Sequence, residues 1–413
     1  MQVRPPAGTL LDCSSHALVA SRAGAELYSC GRGRCGQRGV RNVFDSYELE
    51  RLCHAPLRTA DRPVVSVGCG VAFSVLAAGA GVAYGFGDGT RGAIGTACAP
   101  CLSCGTPRPI PELARYRVHV VAAGAAFALF VVNEDRKVVG MGANDDGQLG
   151  VGDRKQTRHA RPVVDAEGRA LDRVDSVAAG TNHALAVSNG GAYSWGAASR
   201  GKLGHFDRRA RCHACRVVDG SLRDARVVKV AAGDATSIAL DAEGVLHACG
   251  DARSGALGLG GSAGASVLCF RRVDALLHET VTDVAVGFAH AVATTAEGHV
   301  YTWGAVFKNH AGCLGRGTDD DDGSPVPMRA RLPCTFDFAV AVAAGGAVGD
   351  PFVSSSLVAL RDGSVLCCGG NKYLPGNDGY FAALYTAPAD ADEDDEEREG
   401  AIVEQSYSCY GIF

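Results

Sequence analysis

The sequence predicts an all-β fold, a seven-bladed β-propeller with four-stranded blades, and three observations predict it. One pattern recurs along the chain, its period is nearly constant, and each copy reads as four short strands. The copies are anchored at Cys13 (standing in for glycine), Gly70, Gly124, Gly180, Gly233, Gly287 and Gly345, at intervals of 57, 54, 56, 53, 54 and 58 residues. Glycine makes up 55 of 413 residues, about twice an average usage of ~7%, and without a collagen period this signals many tight turns. A repeat of this length built from strands is a propeller or a solenoid, and a solenoid needs polar capping units that are not seen here.

The clearest unit supplies the strands in order. Val177 and Ala179 mark the first, ending at Gly180. Ala184 to Val187 is the second, made of small residues that let neighbouring sheets approach. Asn189-Gly190-Gly191 is a hairpin turn signal, and Ala192 to Trp195 is the third strand. Gly201-Lys202-Leu203-Gly204 makes the next turn, and Arg161 to Val164 of the preceding unit typifies the fourth strand. The first unit lacks a convincing first strand, because Thr9 to Asp12 matches poorly. Ile402 to Tyr410 offers a spare one, so the C-terminal strand is expected in blade 1, where it would close the ring. Residues 1–413 then form one propeller domain, with an acidic disordered loop at about 388–400, where like charges repel.

Val-x-x-Val-Ala-Ala-Gly-x-x-His, Gly-x-Val/Ala-Tyr-x-Trp-Gly and Gly-Gln-Leu-Gly together resemble the repeat of the regulator of chromosome condensation family. The best copies are Gly147-Gln148-Leu149-Gly150, Asn182-His183 with Tyr193-Ser194-Trp195-Gly196, and Ala289-His290 with Tyr301-Thr302-Trp303-Gly304. The resemblance spans essentially the whole chain. It implies a scaffold used for nucleotide exchange on the small GTPase Ran, for chromatin binding, for ultraviolet sensing and for adaptor work. Fold alone does not choose among these. The ultraviolet photoreceptors of the family use a cluster of tryptophans, and this chain has two, so that use is set aside.

Several positions stand out. His183 and His290 follow the anchor glycine and read as side chains that hydrogen-bond across a blade corner. Trp195 and Trp303 occupy the slot held by Phe86, Met141 and Cys249 elsewhere, a core slot. Cys98-x-x-Cys101-x-x-Cys104 and Cys212-His213-Ala214-Cys215 follow the Gly-x-x-Gly turns of repeats 2 and 4. Five thiolates at such spacing hold zinc if the loops meet; otherwise they are free thiols in surface loops. From Gly304 to Gly312 the chain takes eight positions, against five from Gly142 to Gly147. In exchange factors of the family a similarly placed insertion is a wedge that enters the GTPase, which makes Val306, Phe307, Lys308, Asn309 and His310 candidate partner-binding residues. Asp234 in repeat 5 and Asp350 in the lengthened repeat 7 are weaker candidates. The alternative is a loop of variable length.

The remaining signals bound the function. No Gly-x-Ser-x-Gly elbow and no P-loop appears, and no nucleophile, base and orienting acid assemble from the repeat geometry. The chain is therefore expected to be non-catalytic and to need no cofactor. A net charge of −5 argues against direct nucleic-acid binding, and Arg208-Arg209-Ala210-Arg211 is too short a run for such a site. No membrane span or secretory signal is read. Seventeen scattered cysteines suit a reducing intracellular compartment, cytoplasmic or nuclear. The expectation is a monomeric protein-interaction propeller acting as adaptor or regulatory scaffold. The alternatives are an exchange factor for a Ran-like GTPase and a chromatin regulator that binds a basic protein such as a histone through the acidic run.

Overall fold

A computed structural model describes residues 10–13, 16–20, 26–40, 44–52, 63–97, 103–261, 264–305, 311–317, 323–333, 338–347, 350–369 and 380–385. Among the described residues, twenty-eight strands form seven antiparallel four-stranded sheets, each made of four consecutive strands. Blade 4 shows the plan: Val174–Ala179 is innermost, then His183–Ser188, Gly191–Gly196 and, outermost, Arg211–Arg216. Inner strands of successive blades pack side by side around an axis. The turn expected from Asn-Gly forms as read. Asn189 and Gly190 have φ of 52° and 76°, the paired positive values of the type I′ turn that matches strand twist.

The second strands are buried along their whole length in blades 1 to 6. Their alanines and valines lie between sheets, where larger side chains would push blades apart. Trp195 and Trp303 are fully buried, in the slot also filled by Phe86, Met141 and Cys249. Each indole N–H donates to a carbonyl of the preceding blade's turn, Gln148 at 2.9 Å and Ala256 at 2.9 Å.

Two expectations need correcting. Blade 1 takes its inner strand from Leu10–Cys13, paired from Leu10↔Ala20 to Cys13↔Ala17, and not from Ile402–Tyr410. Residues 401–413 lie outside the described residues, as does the acidic segment 388–400. A strand adjacent in sequence pairs at a smaller loop-closure cost than one recruited from the far end of the chain. The register also moves the first anchor: Cys13 stands where Ala179 stands in blade 4, so the anchor position is residue 14. The ring closes where Leu10–Cys13 packs beside Ala339–Ala347 of blade 7. The second correction concerns the fourth strand of blade 3, which is Thr157–Pro162, not Arg161–Val164. Outer strands lie half in water, so polar residues hide them from a reading based on apolar runs.

The anchor glycines have a packing cause. A β-carbon on Gly180 would lie 2.3 Å from the carbonyl oxygen of Gly233, and one on Gly233 would lie 2.4 Å from that of Gly287. Backbone meets backbone around the axis, so no side chain fits.

Candidate protein-binding face

Every blade sends its first-to-second and third-to-fourth connections to one face of the ring, and its second-to-third connection to the other. The strand ends flanking 306–310, the Gly-x-x-Gly turns and the blade 7 hairpin therefore share one face. Val306, Phe307, Lys308, Asn309 and His310 themselves lie outside the described residues.

An axial channel of about 320 Å³ opens on this face, lined by inner-strand valines, alanines and glycines. Its mouth is formed by the residues that follow the anchors: Val71, Ala125, Thr181, Asp234, Phe288 and Gly346. Asp234 is half-buried there. Its carbonyl accepts from Lys202 Nζ at 2.9 Å, while its carboxylate makes no hydrogen bond to any described residue. Lys202 also donates to Asn182 Oδ1 at 2.6 Å, and Asn182 Nδ2 donates to Asp146 Oδ2 at 2.8 Å. Burial pulls the Lys202 ammonium down to about 8, against the opposing pull of Asp234 and Asp146. The network ties blades 3, 4 and 5 together at the mouth.

Blade 7 departs from the pattern as its sequence suggests. Its inner hairpin pairs Ala339–Ala347 with Asp350–Leu360, against six-residue strands in blades 2 to 5. The ladder runs past the anchor through Gly345↔Ser355 to Ala347↔Asp350. The added residues lengthen the hairpin beyond the face, and Asp350 lies at its tip. Gly346 packs on Phe288, where a β-carbon would meet that ring's own β-carbon at 2.6 Å.

The histidines sit at blade corners. His183 Nε2 lies 3.0 Å from Ser237 Oγ, and that hydroxyl donates to the Lys202 carbonyl at 2.6 Å. With the serine proton committed, the ring nitrogen is the donor. His290 repeats this with Ser356 and the Cys313 carbonyl, and His16 with Ser74 and the Gln37 carbonyl. A pairing rule follows that the sequence reading missed. Where the corner is histidine, the facing residue of the next blade is serine. Where it is Phe73, Phe127, Thr236 or Ser355, the residue at the serine's position in the next blade is Ala128, Ala184, Ala291 or Ala17. The signal was available one repeat downstream of each histidine.

Three of the five cysteines, Cys104, Cys212 and Cys215, lie in strands and not in loops as expected. Cys104 is buried in the outer strand Ser103–Pro109 of blade 2, and Cys212 and Cys215 belong to the outer strand of blade 4. Cys104 packs on Gly36 of blade 1 and Cys212 on Gly147 of blade 3, two separate junctions. Cys104 and Cys215 direct their thiols to the carbonyls of Thr106 and His213, and burial pushes the Cys215 thiol up. Among the described residues, no three His, Cys, Asp or Glu side chains gather as metal ligands. Cys98 and Cys101 lie outside them.

Comparison with known proteins follows this geometry. The regulator of chromosome condensation (RCC1) repeat matches residues 137–187, 189–240 and 297–348. The ultraviolet-B receptor UVR8 of Arabidopsis thaliana is 32% identical over 319 residues, which cover 76% of this chain and 68% of that protein. The chain belongs to the regulator of chromosome condensation family. Each matched RCC1 repeat begins at the third strand of one blade and ends in the next, so the sequence repeat and the blade are half a unit out of phase. The human E3 ubiquitin-protein ligase HERC2 is 33% identical over 67% of this chain, yet the chain spans only 6% of that protein's length. Among solved RCC1-type propellers, Prp20p of Saccharomyces cerevisiae, studied with its binding properties to Gsp1p and histones, superposes with a TM-score of 0.68. It is 22% identical and covers 89% of this chain and 83% of its own. No helix among the described residues is long and apolar enough to cross a membrane.

Proposed function

We propose that this RCC1-type propeller is a protein-interaction module, an adaptor or regulatory scaffold without covalent chemistry, and that its partner binds the face bearing the channel mouth. The observation carrying this is the mouth itself. An aspartate carboxylate with no hydrogen bond to any described residue lies there among the partly exposed Val71, Thr181 and Phe288, beside the blade 7 hairpin. An acceptor left open beside a partly exposed aromatic, Phe288, on a rigid scaffold offers a partner both a polar and an apolar contact. Light sensing through stacked indoles finds no support, since both tryptophans are buried in separate blades with their N–H groups engaged. A photo-crosslinking residue placed at Thr181 or Asp234 should capture protein partners from a cell extract. The same residue at Ala242 or Glu243, on the turn of the opposite face, should not. Capture from the opposite face alone would overturn the assignment.

Nucleotide exchange on a Ran-like GTPase is the second reading. It is favoured by the long connection from Gly304 to Gly312 on this face and by the likeness to Prp20p. An exchange factor stabilises the nucleotide-free GTPase by differential binding, so it needs no catalytic residues. Release of a fluorescent guanine nucleotide from a Ran-type GTPase should accelerate with this protein and lose the acceleration in Phe307→Ala/Lys308→Ala. No acceleration at micromolar protein removes exchange and leaves the adaptor. Binding of a basic protein such as a histone by the acidic run 388–400 is a third reading, placing the chain in the nucleus.

A further inference from the structure

The turn that follows Gly-x-x-Gly has one geometry in several blades. Gly152, Phe206 and Gly260 each donate a backbone N–H to the outer strand of the next blade, to the carbonyls of Cys212 (2.8 Å), Leu268 (2.8 Å) and Pro325 (3.0 Å). Each has positive φ: 89°, 59° and 77°. Gly317 in blade 6 has the same sign, at 98°. Glycine suits the left-handed region, and a bulky aromatic there is an outlier. Blade 4 nevertheless places Phe206 at this position, and its side chain faces solvent with 57% exposure. Packing does not explain a strained residue that is mostly in water.

The residues beyond it repeat between blades 3 and 4. Asp153 Oδ1 accepts the N–H of Lys155 and Asp207 Oδ1 that of Arg209, both at 3.0 Å. Arg161 and Arg211 hold the two carboxylates from below. The aspartates are thus consumed in latching their own turns. Arg154, Lys155, Arg208 and Arg209 are left exposed, with no ion pair to any described residue. The turns adjoin, because Gly152 bonds Cys212 and Val151 bridges His213, just beyond Arg209. Two latched dibasic turns and one strained aromatic therefore share the rim of blades 3 and 4.

We propose that this rim is a docking site for an acidic segment of a partner protein. The four cations pair with its carboxylates, and Phe206 covers an apolar side chain within it. Charge complementarity selects the occupant, and an exposed aromatic beside arginines has the make-up of an interface anchor. A net charge of −5 disfavours a long polyanion such as nucleic acid. The site is distinct from the channel mouth, and the proposal stands or falls separately from it.

The test is fluorescence anisotropy of a fluorescein-labelled decapeptide of Asp and Glu with one central leucine, titrated with the full chain. Wild type should bind at low salt and release with rising salt. Arg208→Glu/Arg209→Glu and Arg154→Glu/Lys155→Glu should each weaken binding by about tenfold or more. Phe206→Gly should weaken binding while leaving the melting temperature unchanged or higher, because glycine accepts the left-handed turn. This variant separates binding from folding. Absence of wild-type binding at low salt overturns the proposal, as does affinity indifferent to the charge reversals. A lowered melting temperature with unchanged affinity in Phe206→Gly would make Phe206 a packing residue and also overturn it. Tighter binding of a single-stranded oligonucleotide of equal charge would assign the rim to nucleic acid instead.

Discussion

At His183 the ring lies under Gly180, with its Cε1 2.5 Å from where a β-carbon on that glycine would be. Its Nε2 reaches Ser237 of the next blade. Phe73 and Phe127 fill the same corner under Gly70 and Gly124, and the next blade has alanine at the serine's position. Histidine and serine are thus one choice and phenylalanine with alanine another. Ser237→Ala should cost about 1–3 kcal/mol, since it leaves a buried ring N–H without its acceptor. Adding His183→Phe should recover about 1 kcal/mol, a coupling that a double-mutant cycle in urea would measure. Strict additivity would break the pairing rule. Protonation offers a second test. Burial first, then the Arg38 charge, lowers His16 to about 3, and burial with the Lys202 charge holds His183 well below its ordinary range. The unfolded chain takes up these protons near pH 6.5 and the folded one does not. Their contribution is whole above pH 6.5 and is lost as pH falls toward 3, by at most about 1.4 kcal/mol per pH unit for each histidine. Denaturation midpoints measured from pH 7.5 to 5 should fall, and His16→Phe/Ser74→Ala should flatten the decline.

Each inner strand of blades 2 to 7 carries a bulge near its start. The bulge turns a side chain toward the neighbouring blade. Ser66 accepts the N–H of Val121 at 3.0 Å, Ser176 that of Val230 at 3.3 Å, and Asp283 Oδ2 that of Val342 at 3.1 Å. Adjacent inner strands do not pair as a sheet, so these side chains satisfy backbone donors that would otherwise be orphaned. Asp283 also pairs with Lys229 and so joins blades 5, 6 and 7. Asp283→Ala should cost about 2–3 kcal/mol, through the orphaned Val342 N–H and the lost pair. Asp283→Asn keeps an acceptor, and Lys229 is 39% exposed and can return to water, so the cost should stay below about 1 kcal/mol. Equal losses in chemical denaturation would show that the ion pair, not the backbone hydrogen bond, holds the junction.

A closed ring removes most strand edges, and each blade is stabilised by two neighbours. Loss of any inner strand therefore opens two interfaces at once. Removing residues 1–13 takes away the inner strand of blade 1, which packs against blades 2 and 7. It should lower the melting temperature and broaden the transition far more than removing residues 401–413. The reverse order in calorimetry would return the closing strand to the C-terminus.

The sequence by itself determined the blade number, the order of strands within a blade, the Asn-Gly turn and the core slot of the tryptophans. Each of these is written in local periodicity or in a short-range turn preference, and seven repetitions average out the noise of any one copy. It determined the corner role of the histidines but not their serine partners, which lie a full repeat away. Only the tertiary structure decided that Leu10–Cys13 completes blade 1, because that strand is recognisable by its pairing and not by its composition. Only the structure placed Asp234 at the channel mouth, put Phe206 in a left-handed turn near four cations that make no ion pair to any described residue, and separated Cys104 from Cys212 into different junctions. These depend on how one blade meets the next, and contacts between blades leave no period in the chain that makes them.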